Sequence, residues 1–120
     1  MSVWPVMDGV DYPVVRAMLG DDAGLFRSLL GRLIRDFAGV TLPMNGAERG
    51  EIIAHAACMH KLKGSAGILG LKVVQQLATA IEGACEAGDL APIRTLAQQL
   101  TAEFRRLSES VDGAVVADAA

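Results

Sequence analysis

Aromatic side chains are scarce in this 120-residue chain, where one Trp, one Tyr and three Phe make up 4% of the residues. β-Branched residues rarely alternate with polar ones. Both shortages argue against a sheet, whose strands draw on those residue types with a period of two. Cysteine is limited to Cys58 and Cys85, which suit reduced, buried small hydrophobes better than a disulfide, because a cytosol keeps thiols reduced. Positive charge is not in excess, with 11 Lys and Arg against 14 Asp and Glu and a net charge of −3. No basic stripe is available to neutralise phosphates, so nucleic acid is not an expected partner. No apolar run approaches the roughly 18–20 residues a spanning helix needs. The N-terminus lacks the basic and apolar regions of a signal peptide. These absences lead us to expect a cytoplasmic chain without direct membrane insertion.

What is present favours helices. Apolar residues make up 52% of the chain, and Ala and Leu, both strong helix formers, dominate them. The length fits one domain with one modest core. Residues 1–10, with Trp4-Pro5, read as an irregular lead-in or the end of a linker. Asp11 caps a short helix to Leu19 that Gly20 stops, and Pro13 is tolerated in its first turn. Asp21 and Asp22 open a second helix, in which Leu25, Phe26, Leu29, Leu30, Leu33, Ile34 and Phe37 recur at three- and four-residue steps. Ala38 to Gly46 reads as a connector containing Pro43 and Asn45-Gly46.

A third helix is expected from about Ala47 to Ile68 and a fourth from about Leu71 to Ala87, ended by Gly88. Asp89 caps a fifth, with Leu96, Leu100, Phe104, Leu107 and Val111 on its inner face. The Ala-rich residues 113–120 have little to bury and read as a frayed tail. The expected fold is all-α: an antiparallel four-helix bundle over residues 11–112 with a short N-terminal capping helix.

Within the third helix, Ile52, His55, Met59, Leu62, Ala66 and Leu69 form the core stripe. His60, in the segment His60-Lys61-Leu62-Lys63-Gly64, lies about 130° from the centre of that stripe at about 100° per residue. Ile53, Ala57, Gly64 and Gly67 share its side of the helix, with Ala56 and Lys63 flanking. Each interior glycine costs the helix about 0.5–1 kcal/mol relative to alanine. Either a neighbouring helix packs closely on them, or the helix ends near Gly67, or a partner must come close to His60. His55, on the apolar stripe, reads as a buried or boundary histidine with a local hydrogen bond. An exposed imidazole is different. With a reference pKa of about 6.5 it is mostly neutral at neutral pH and offers a ring nitrogen as nucleophile.

The run His60-Lys61-Leu62-Lys63-Gly64-Ser65, followed by Gly70, resembles the signature of the histidine phosphotransfer (HPt) domains of bacterial multistep phosphorelays. Likeness extends to Asp11-Tyr12, to Leu19-Gly20-Asp21-Asp22 with Leu25-Phe26 and Leu29-Leu30, and to Ile81-Glu82 before Gly88-Asp89, about residues 10–110 in all. The resemblance implies that His60 accepts a phosphoryl group from a receiver-domain aspartate and passes it to a second receiver. It further implies Lys63 as charge stabiliser, and a docking side made of Ile53, Ala56, Ala57, Lys63, Gly64 and Gly67. The domain itself would be a monomeric phosphoryl carrier without autonomous catalysis and with no cofactor, Mg²⁺ belonging to the receiver. Met59, Ile68 and Leu71 depart from the residues usual at their places, which bears on the choice of partner. Residues 3–10 look like the lead-in to HPt domains at the C-terminus of hybrid sensor kinases, so the chain would be a fragment of one, at the cytoplasmic end of a membrane-anchored protein.

Three other readings compete. In the dimerisation domain of a sensor kinase an acidic residue usually follows the histidine, and Lys61 stands there instead. A metal site from His55, Cys58, His60 and Cys85 would spread its ligands around the helix. A phosphorylation-independent helical interaction module would leave His60 incidental.

Overall fold

Acceptors that the chain supplies at its helix starts set the architecture, because the first amides of a helix have no partner within it. In the computed structural model, which describes residues 4–38 and 48–119 and the side chains only as far as residue 111, five helices follow one another. They are α1 (Tyr12–Leu19), α2 (Ala23–Phe37), α3 (Arg49–Ile68), α4 (Lys72–Ala87) and α5 (Leu90–Ala119). The Asp22 carboxylate accepts from the Leu25 amide at 2.9 Å. Asp11 does the same for Val14 at 3.4 Å, and Asp89 for Ala91 at 3.3 Å. At the start of α3 the Glu51 carboxylate reaches back to the Glu48 amide at 3.4 Å. Gly88 ends α4 in the left-handed conformation, φ 71°.

One boundary differs from expectation. α5 continues to Ala119 through the segment read as a tail, since its alanines favour helix and no proline interrupts it. The connector expected at Ala38–Gly46 lies outside the described residues except for Ala38, as does Ala47.

α3 and α4 form a tight antiparallel hairpin, with Gly67 against Gln75 near the turn and His60 against Glu82 farther out. α4 and α5 pack the same way, so Arg106 of α5 comes beside Gly9, next to Val73 at the start of α4. The second half of α2 lies along Ser65 and Ile68 of α3 and the following Leu69 across a groove, and along Thr101–Glu109 of α5 across another. Phe26, Leu30, Met59, Leu62, Val74, Ile81, Ile93 and Leu107 fill the core these helices share. Among the described residues the regular structure is helical, apart from one isolated bridge between Val10 and Leu71.

Residues 4–11 are fastened to the helices. The indole of Trp4 donates to Asp21 at 2.6 Å and packs edge-on to Tyr12 and against Phe26. The Tyr12 hydroxyl donates to the Pro5 carbonyl and accepts from the Met7 amide at 3.0 Å. Arg106 holds the Asp8 carbonyl at 2.9 Å while paired at 2.5 Å with the buried Glu103. The Asp11 amide donates to the Gly70 carbonyl at 2.8 Å. Gly70 has φ +66°, and a Cβ there would lie 2.6 Å from the Asp11 carbonyl oxygen, so this crossing requires glycine.

Candidate functional site

His60 sits where helix arithmetic puts it, on the exposed side of α3 with its side chain 67% accessible. It is not alone. Its Nδ1 lies 2.8 Å from Oε2 of Glu82 on α4, whose other oxygen accepts from the Lys63 ammonium at 3.2 Å. A carboxylate can only accept, so a ring proton belongs on Nδ1, and in the neutral tautomer that results the lone pair is on Nε2. The Lys63 hydrogen bond, more than the one from His60, holds the Glu82 carboxyl below the usual carboxylate range against the opposing effect of burial. Glu82 is therefore ionised at neutral pH and bridges a cation and an imidazole. Lys63 is one helical turn beyond His60 on the same side, which lets one carboxylate serve both.

The glycines beside His60 differ from each other. A Cβ on Gly64 would meet nothing within 4 Å, so that surface is open. A Cβ on Gly67 would come within 3.1 Å of the Gln75 amide, so Gly67 makes room for a side chain of α4. Two of the readings offered for Gly67 have a structural counterpart, Gln75 packed close by and the end of α3 one residue on at Ile68. Ile53 is 60% exposed, Ala57 is exposed, and Ala56 is half-buried against the core. Lys61 is exposed.

His55 is buried as its place on the stripe requires, but the local hydrogen bond expected of it is missing at Nε2, which has no partner among the described residues. Burial pushes its pKa down. Both cysteines are free thiols, and burial pushes both pKa values up, so neither is poised as a thiolate. Among the described residues no three His, Cys, Asp or Glu side chains are grouped to hold a metal ion. His55, Cys58, His60 and Cys85 do not come together. No helix of the described residues is long and apolar enough to cross a membrane.

Glu82 is the site residue that sequence reasoning missed. A signal for it existed: His60 and Glu82 both stand eleven positions from Leu71 in the α3–α4 turn, so an antiparallel hairpin sets them level. Periodicity within one helix contains no such information.

A family model, the Hpt domain, matches residues 19–110. The chain belongs to the Hpt domain family. Hpt domains transfer phosphoryl groups through a histidine in phosphorelays and interact there with receiver domains. The match spans α2 to Ser110 of α5 and so contains His60, Lys63 and Glu82, while residues 4–11 and nearly all of α1 lie before it. No curated protein and no solved structure matches this Hpt domain.

Proposed function

We propose that His60 is the phosphoacceptor of this Hpt domain and that Glu82 is its positioning residue. In the forward step the Nε2 lone pair attacks the phosphorus of a receiver's aspartyl phosphate. The N–P bond forms as the bond from phosphorus to the aspartyl oxygen breaks, and the receiver's carboxylate leaves as the anion. The Nδ1 proton stays on the ring, shared with Glu82, whose negative charge offsets that of the phosphorylated imidazolium. Onward transfer reverses these events on a second receiver: the N–P bond breaks and the electron pair returns to Nε2. Positioning supplies most of the advantage in such a transfer, and the pairing of Nδ1 with Glu82 sets both ring orientation and tautomer.

Lys63 keeps Glu82 ionised, and from one turn away it offsets the charge of the transferring group. Mg²⁺ and the acidic pocket are the receiver's contribution. Ile53, Ala56, Ala57, Lys63, Gly64 and Gly67 form the docking side, Gly64 being the open approach to the imidazole. The domain acts as a monomeric carrier in the cytoplasm, with α1 capping an antiparallel bundle of α2–α5, and without catalysis of its own. An arrangement in which His60 is incidental gives no reason for a carboxylate and an ammonium to be assembled around an exposed imidazole.

The observation carrying this reading is the 2.8 Å pairing of His60 Nδ1 with Glu82 on an exposed helix face. Incubation with a phosphorylated receiver tests it. His60→Gln should keep the helical circular dichroism and lose all phosphoryl acceptance, whereas retained labelling overturns the assignment.

A further inference from the structure

Among the described residues, four of the five helices begin with an acidic side chain bonded to an amide at their start: Asp11, Asp22, Glu51 and Asp89. α4 is the exception. Leu71 stands at its N-cap and has no side-chain acceptor to offer. A carbonyl from far away in sequence takes that place, because Gly9 accepts from the Lys72 amide at 3.2 Å. Leu71 also forms the isolated bridge with Val10, and the Asp11 carboxylate lies 3.5 Å from the Lys72 ammonium. Residues 9–11 therefore cap α4 from outside the helix, meeting a need that its own sequence leaves open.

α4 is also the helix that carries Glu82. Gln75, in its first turn, packs on Gly67 of α3, and Glu82 follows two turns later. Glu82 is about 16 Å from Leu71 by helical rise, so how the start of α4 is seated bears on where its carboxylate meets the imidazole.

Release of this segment can stop short of unfolding. Its fully covered side chains are Pro5 and Met7, while Val6 is exposed. Met59, Leu62, Ala78 and Ile81 of α3 and α4 are buried in the core that the helices share. A segment with few buried apolar contacts opens locally, well below the stability of the whole. The family match begins at residue 19, beyond this segment.

We propose that residues 4–11 are a detachable strap that regulates His60. Docked, the strap caps α4 and holds the hairpin in the register that pairs Glu82 with His60. Undocked, it leaves the first amide of α4 without an acceptor, the helix start frays, and Glu82 loses its fixed place beside the imidazole. Displacement of the chain at Trp4 would thereby slow phosphoryl acceptance. That last effect rests on the reading of His60 as phosphoacceptor, whereas the coupling of strap to imidazole does not.

The test uses the full chain with Gly9→Val. Gly9 has φ +82° and its Cβ would lie 3.3 Å from the Arg106 guanidinium, so valine should lift the strap at the cap without altering the helices. Two quantities are read: the His60 tautomer by nitrogen-15 NMR, and the rate of labelling by phosphoramidate, a donor too small to need a docking surface. The tautomer should change from Nδ1–H to a mixture, and labelling should slow about fivefold or more. Proline is tolerated at the first position of a helix and has no amide to cap. In a Lys72→Pro background Gly9→Val should therefore change the rate by less than about twofold. A wild-type tautomer in Gly9→Val, or a rate within twofold of wild type, overturns the strap as a control on His60. Equal slowing in both backgrounds overturns capping as its means, and a Gly9→Val protein that unfolds shows a segment that cannot detach. Failure of phosphoramidate to label the wild-type protein defeats the phosphoacceptor reading instead, and the tautomer then decides whether the strap holds the site.

Discussion

The carboxylate of Glu82 reaches from α4 to within 2.8 Å of Nδ1 of His60 on α3, and its second oxygen is held by Lys63 at 3.2 Å. A proton donor, a shared anion and a supporting cation therefore stand in a row across two helices. Nε2 is the ring nitrogen that this row leaves out.

Glu82→Gln and Glu82→Ala should separate the hydrogen bond from the charge. Gln keeps an acceptor for Nδ1–H, and Ala keeps neither acceptor nor charge. Phosphoryl acceptance should fall by about 10- to 100-fold in the alanine variant and by less in the glutamine variant, a range typical of lost outer-shell support. Nitrogen-15 NMR of the imidazole distinguishes positioning from mere packing. The wild-type protein should show the Nδ1–H tautomer, and Glu82→Ala a mixture.

Gly64→Ala and Gly70→Ala should move in opposite directions. Gly64 is helical with open space around it, so alanine should stabilise the fold by about 0.5–1 kcal/mol, while a tryptophan there should block receiver-dependent transfer in a protein that stays folded. Gly70→Ala meets both a left-handed backbone and a carbonyl oxygen 2.6 Å away, and should cost about 2–4 kcal/mol. Urea denaturation followed by circular dichroism measures both. Unfolding of the Gly64→Trp variant would show that Gly64 is a packing glycine after all.

His55 should make stability depend on pH. Its folded pKa is lowered from 6.5 by burial. Between that folded value and 6.5 the unfolded chain binds the extra proton, so stability is complete above 6.5 and falls as pH drops through the window, by up to about 1.4 kcal/mol per pH unit. Glu82 acts lower on the scale: its depressed pKa stabilises the fold above the unfolded value of 4.5 and loses that contribution as pH falls through the folded one. Urea midpoints measured from pH 7.5 to 5 should decline in the wild-type protein and flatten in His55→Gln. Parallel curves would show that His55 titrates alike in both states.

The lead-in should behave as part of the core. Trp4→Ala removes two aromatic contacts and the hydrogen bond to Asp21, and should cost about 2–3 kcal/mol. Val6→Ser, at a side chain 93% exposed, should stay within about 0.5 kcal/mol. A Trp4→Ala variant as stable as wild type would return residues 4–11 to the status of linker.

The parts of the fold that local chemistry controls were legible in the sequence. Asp11, Asp22 and Asp89 announced helix starts and Gly20 and Gly88 helix ends, because caps act within three residues of the chain. His55 and His60 could be assigned to opposite environments from a period of 3.6 alone. Relations between helices stayed hidden. Glu82 joins the site only through the register of the hairpin, and the contact of Gly67 with Gln75 depends on the same register. The attachment of Trp4 spans seventeen residues to Asp21, and that of Arg106 to Asp8 spans ninety-eight. Neither has a periodic signature. The continuation of α5 past Gly113 was missed for another reason: an absent core contact was taken as an absent helix.

Because the imidazole is on one helix and its carboxylate on the next, the chemistry of His60 is a tertiary property. A peptide holding the whole motif from His60 to Gly70 would present the same letters with both ring tautomers in exchange. The same motif grafted onto a foreign helix should accept phosphoryl more slowly without a glutamate eleven places beyond a turn. A disturbance that parts α3 from α4 by an ångström or two should slow labelling of the histidine while the circular dichroism still reads as native. Slower labelling should then precede unfolding on heating or in denaturant.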